Sequence, residues 1–160
     1  MPNASTEDKR ALKRRMKSAA RLYAVQALFQ MEAAGQTVET VQAEFEDHRF
    51  GMVTEAGELS EGDVDLFRAL LEAAVNNQAR VDQMTDRALV AKWPIDRIDP
   101  TLRALFRAAG GELVDRDTPP KVIITEYVEI ARAFFPEGKE AAFVNAVLDH
   151  MARDARPDQF

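Results

Sequence analysis

In the stretch KVIITEYVEIARAFF, apolar residues recur at Ile123, Tyr127, Ile130 and Phe134, the spacing that lines one side of an α-helix. The fragment VIIT taken alone favours a strand. The period runs on for three turns, longer than a typical strand, so the spacing predicts a helix. The same periodicity returns along most of the chain. Val64, Phe67, Leu71 and Val75 form a buried ladder in a helix opening near Ser60 to Asp63, and Val81, Met84, Ala88 and Val90 continue as another. Leu102, Leu105, Phe106 and Ala109 follow Asp99–Pro100, a suitable cap and first-turn pair. Phe143, Val144, Val147, Leu148 and Met151 share one side of a last helix.

Punctuation completes the pattern. Ser5 with Asp8 offers a capping box for a first helix reaching about Ala34, where Gly35 is the expected stop. Thr37 is the expected cap of a second helix that buries Val38, Val41 and Phe45, and HRFGMVTEAGELSEG reads as a loop with a mobile tip. Thr118 is the expected cap of the sixth helix, with Pro119 in its first turn; Gly110–Gly111 are expected to weaken the fifth. With no hairpin signal and short connections, the expectation is an all-α fold of about seven helices in two packed helical sub-bundles. One domain of 160 residues then divides into a basic arm (1–12), an N-terminal sub-bundle (13–77) and a C-terminal sub-bundle (78–155).

Charge is the second constraint. The chain carries −6 overall, yet residues 1–21 hold seven Lys/Arg against Glu7 and Asp8, which is +5 and leaves −11 for the remainder. On a helical wheel Arg10, Arg14, Lys17 and Arg21 fall within about 60° of one another, with Leu12, Met16 and Tyr23 roughly opposite. The expected arrangement is a basic stripe with an apolar face behind it that holds the helix on the body. From Leu22 to Phe29 the helix is apolar nearly all round, and its second half is expected to be buried. A basic end on an acidic body suits a protein that meets a polyanion at that end.

Little in the chain supports catalysis. It has no cysteine, and His48 and His150 stand alone in FEDHRFG and VLDHMA without a second ligand three or four residues away. No nucleophile elbow or phosphate-binding glycine loop occurs, and AAGGEL has the wrong glycine spacing for a dinucleotide fingerprint. No cofactor or metal is expected. No apolar run approaches the roughly 20 residues of a membrane span, and the first ten residues contain no apolar signal segment, so a cytoplasmic protein is expected.

Three stretches together, ARLYAVQALFQ, KWPIDRIDPTLRALFRAAGGEL and DTPPKVIITEYVEIARAFFPEGKEAAFVNAVLDHMA, resemble the NusB family of bacterial transcription antitermination factors. Lys121-Val122 and the run from Phe143 to Asp149 are the most specific part. The resemblance spans about residues 13–155 and implies an all-helical fold, no catalysed reaction, and a role in pairing with NusE, a small-subunit ribosomal protein. It implies binding of the boxA element of single-stranded leader RNA and antitermination of ribosomal RNA transcription with the transcribing RNA polymerase complex, by a monomer or a homodimer.

Residue by residue, the family's arginine-rich helix start matches Lys17 and Arg21, with Arg10, Lys13, Arg14 and Arg15 adding charge upstream, while Ser18 and Ala19 stand where family members often carry arginine. Phe143 and Asn145, with Phe135 and Lys139 in the preceding turn, are the second RNA-contacting region so implied. Thr101, Leu102 and Arg103 are the implied NusE contact. Plainer alternatives stay open: a solvated basic face, a core position for Phe143, a buried amide at Asn145, or a helical adaptor that binds an acidic protein and no RNA.

Overall fold

The computed structural model describes residues 5–48, 50, 53–54, 57–58, 62–89 and 98–160, the side chains of 53–54 and 57–58 excepted. Val90, the segment 91–97 with Trp93 and Pro94, and the expected mobile tip of the loop after His48 lie outside them.

Among the described residues seven α-helices carry the fold: α1 (Thr6–Ala34), α2 (Val38–His48), α3 (Val64–Asn76), α4 (Gln78–Ala88), α5 (Pro100–Asp115), α6 (Pro120–Phe134) and α7 (Lys139–Ala155). A 3-10 turn, Pro157–Gln159, follows α7. Between α2 and α3 sits one short antiparallel pair, β1 (Val53–Thr54) and β2 (Gly57–Glu58), with Val53 opposite Glu58. The fold is all-α as expected, and this small ladder lies within the segment read as loop.

The helix ends follow local chemistry. Ser5 Oγ accepts from the Asp8 amide at 3.1 Å while Asp8 Oδ2 accepts from the Ser5 amide, closing the capping box. Gly35 ends α1 at φ +64°, the left-handed conformation that glycine adopts without steric cost. Asp99 Oδ1 accepts from the Thr101 amide at 2.7 Å, with Pro100 in the first turn of α5. At α6 the cap lies one residue later than expected: Pro119 holds the N-cap position without a side-chain bond, and Pro120 opens the helix. Thr118 instead offers its carbonyl to the Arg156 guanidinium.

The core is one connected cluster with α5 at its centre, packed against α1, α3, α4, α6 and α7. Gly110 and Gly111 are buried inside α5 and do not interrupt it. A Cβ on Gly111 would stand 2.8 Å from the Ala74 backbone nitrogen, so the glycine lets α3 and α5 approach closely. The long α6 ladder is as expected, with Ile123, Tyr127 and Ile130 buried. In α3 the buried arc is rotated from the expected one: Phe67 and Leu71 are inside with Leu66, Leu70 and Ala74, while Val75 is exposed. This helix is wedged between α1, α2 and α5, so neighbours on several sides choose its inner face. Beneath α2, Tyr23, Phe45, Phe50 and Phe67 form an aromatic group with centroids 4.9–6.4 Å apart.

Candidate nucleic-acid interface

The first turns of α1 carry the cations of the stripe at the surface. Arg10, Lys13, Arg14, Arg15 and Lys17 are all exposed. The apolar face expected to anchor this part of the helix does so only partly. Leu12 is 44% exposed, whereas Met16 is half-buried and its carbonyl accepts from the Asp63 amide at 3.0 Å. Farther along, Tyr23 packs its ring on Phe50 at 5.2 Å. The side of α1 that carries the basic stripe is the side that, two turns later, buries Ala24, Val25 and Leu28. Arg14 and Lys17 therefore project along the rim of the body, into a groove of about 660 Å³ completed by Asp63, Asp65, Leu66, Val122, Glu126 and the turn Arg116–Pro119.

Arg21 lies at the inner end of that stripe, and there the structure departs from expectation. Only 3% of the residue is exposed. Its Nε and Nη2 donate to Glu112 at 2.9 and 2.7 Å, and its Nη1 donates to Glu126 at 3.3 Å. Tyr127 Oη donates to Glu112 at 3.0 Å, and Ser18 Oγ lies within 3.0 Å of both Glu126 oxygens. Burial pushes the Arg21 guanidinium down, but the hydrogen bond and charge of Glu112, helped by Tyr127 and Glu126, outweigh it and hold the pKa above its ordinary value. Burial, then the Glu112 charge, pushes the Tyr127 phenol well above its usual range. A guanidinium so enclosed belongs to the packing of α1 on α5 and α6; it does not present itself to a phosphate.

Across Ser18 and Glu126 a second, shallower groove of about 360 Å³ runs between α1 and α6, lined by Arg15, Leu22, Tyr23, Glu129 and Ile130. The aromatic and amide positions on α7 are at the surface. Phe143 is 39% exposed, with its ring edge against the buried Phe106 at 6.3 Å, so it is neither wholly core nor wholly free. Asn145 and Lys139 are exposed, and Phe135 is half-buried against the core.

The residues expected to meet a protein partner separate. Leu102 is buried, and Arg103 pairs with Glu32 at 2.6 Å. Thr101 lines a third groove of about 370 Å³ with Val25, Gln26, Phe29, Gln30, Phe45 and Phe134. Phe29, expected inside, is 38% exposed there, and the buried Gln26 Oε1 has no hydrogen-bond partner. Neither Phe29 nor Gln26 was legible as a surface group, because both sit in the apolar half of α1. Glu126 carried no sequence signal either; it follows VIIT within an ordinary amphipathic helix. Among the described residues no cluster of three metal-ligating side chains occurs, and no helix is long and apolar enough to cross a membrane.

Comparison with known proteins matches residues 18–153 to the NusB family. The transcription antitermination protein NusB of Maricaulis maris (strain MCS10) is 48% identical, over 100% of both chains. A solved structure of T. maritima NusB superposes with a TM-score of 0.70 at 28% identity, covering 90% of this chain and 96% of that one. The fold is also similar, at a TM-score of 0.72 and 19% identity over 88% and 98% of the two chains, to one in a crystal structure of antitermination factors NusB and NusE in complex with dsRNA.

Proposed function

The chain belongs to the NusB family, and from that premise we propose that it is a non-enzymatic transcription antitermination factor. In this reading it pairs with NusE, holds boxA single-stranded leader RNA, and promotes antitermination of ribosomal RNA transcription on the polymerase, in the cytoplasm. The observation that carries the RNA part is the exposed basic end of α1, with five exposed cations from Arg10 to Lys17 on a chain of net charge −6. Phosphate contacts need positive charge within reach more than one fixed position, so Ser18 and Ala19 at the family's arginine positions are compatible with it. Unstacked bases need exposed π-faces and amides, and Phe143 and Asn145 on α7 offer both.

For NusE, the support is the groove beside Thr101. An exposed Phe29 in the wall of this groove is the kind of aromatic anchor that a docked polypeptide covers by apolar contact. Arg103, tied to Glu32, stands close by in the first turn of α5.

The test is a titration of fluorescent boxA-type RNA with this protein, alone and with purified NusE, at two salt concentrations. Tighter binding with NusE, weakened by salt, is the expected result. Absence of RNA binding in both mixtures overturns it in favour of a purely protein-binding adaptor.

A further inference from the structure

The large groove beside α1 is not lined as a phosphate channel is. Sequence-independent single-strand channels combine cations with aromatic stacking surfaces. Here Arg14, Lys17 and Arg116 share the walls with Asp63, Asp65, Asp117 and Glu126, while Arg21 is already neutralised by Glu112. Three of the four carboxylates have simple explanations: Asp63 caps α3 through the Leu66 amide, and Asp65 and Asp117 are exposed at the mouth. Glu126 is different. Its side chain is only 24% exposed, and it lines both the large groove and the shallower one, so it stands between Arg14 and Lys17 on one side and Arg15 on the other.

A carboxylate in that place repels a passing phosphate. It becomes favourable only if the ligand brings N–H donors to it. Ser18 Oγ is 3.0 Å from Oε1 and 2.9 Å from Oε2, but a hydroxyl has one proton and donates to one of them; Arg21 Nη1 adds one contact, to Oε1 at 3.3 Å. With two lone pairs on each oxygen, and the Ser18 proton on the nearer Oε2, each oxygen keeps one acceptor site. Guanine is the one RNA base whose Watson–Crick edge presents two adjacent donors, N1–H and N2–H, and that edge is available only when the base is unpaired. Pro119 and Val122, both exposed, and Leu66 supply apolar surface for its face, and about 660 Å³ falls in the range of sites that hold small organic groups.

We propose that this groove takes one unpaired guanine of the bound RNA, with N1–H and N2–H donated to Glu126 and the flanking phosphates on Arg14 and Lys17. Glu126 then selects the base while the cations hold the strand. The inference rests on the RNA-binding reading above, and its test separates the two.

Fluorescence anisotropy compares a guanine-containing boxA-type RNA with the same RNA carrying inosine, which lacks only the N2 amino group, each titrated with the full chain and NusE. Inosine is expected to weaken binding about tenfold, the usual effect of losing a hydrogen bond to a charged group. Glu126→Gln is expected to weaken the guanine RNA and to close the gap between guanine and inosine, leaving the salt slope unchanged. The inosine arm uses the unaltered protein, so it does not depend on the variant folding. Equal affinity for both RNAs, or a gap that survives in Glu126→Gln, overturns this inference alone. Loss of all RNA binding by the unaltered protein overturns it together with the antitermination reading.

Discussion

Replacing Arg21 by methionine removes the guanidinium and leaves the Glu112 carboxylate, 0% exposed, with Tyr127 as its remaining side-chain donor. Two charge-assisted bonds, at 2.9 and 2.7 Å, disappear inside the core. Breaking one side of a buried pair costs about 3–5 kcal/mol because the other charge stays desolvated and uncompensated. For a domain of this size, each kcal/mol corresponds to about 2–4 °C in Tm, so a fall of roughly 6–20 °C is expected by circular dichroism. Adding Glu112→Gln removes the stranded charge, and the double variant should recover part of the loss, with a coupling of roughly 0.5–3 kcal/mol. If Arg21→Met leaves Tm within about 2 °C of the parent, or if the two changes simply add, Arg21 is not held as the geometry says. The result also decides how RNA binding is probed. Arg21→Ala, which the wheel pairs with Arg14→Ala as a test of the stripe, disturbs the core instead.

The clean probe is Arg14→Ala with Lys17→Ala: both are exposed, so the Tm should hold while the log-log salt slope of RNA binding shrinks by about 1.4, roughly 0.7 per lost phosphate contact. An unchanged slope would remove these two residues from the RNA path. Gly111→Ala should destabilise by about 1–3 kcal/mol in urea titrations, because the new Cβ meets backbone atoms of Ala73 and Ala74 that cannot rotate aside; equal or greater stability would contradict the close approach of α3 and α5. Tyr127 ties stability to high pH. Its folded pKa lies above its unfolded value near 10, so its contribution is complete below about pH 10 and is lost as pH rises, since the unfolded chain ionises first. The advantage of the parent over Tyr127→Phe should therefore narrow above pH 10 by up to about 1.4 kcal/mol per pH unit, and parallel denaturation curves at pH 9 and pH 11 would refute it.

Much of the fold is legible in the order of residues. The Ser5–Asp8 box, Gly35 and the Asp99–Pro100 pair act through backbone groups within one helical turn, so they mark helix ends wherever they occur. Ile123, Tyr127 and Ile130 identify the inner face of α6 because one side of that helix is continuously apolar. The candidate site was legible as charge, from Arg10 to Lys17, but not as geometry. Periodicity shows which residues of α1 share a side; it does not show which neighbour that side faces. The stripe turned out to share the side that packs on the body, which enclosed Arg21 and set Arg14 and Lys17 over a groove.

The remaining surprises have a common origin. Arg21 meets Glu112 from 91 positions away, Ser18 meets Glu126 from 108, and Gly111 is required by the backbone of Ala74. The helices, their caps and the segregation of charge follow from the order of residues, because each depends on neighbours along the chain. Tertiary structure alone decided which charges are buried and paired, which aromatic rings reach the surface and where the grooves open, because each depends on what a distant segment brings into contact.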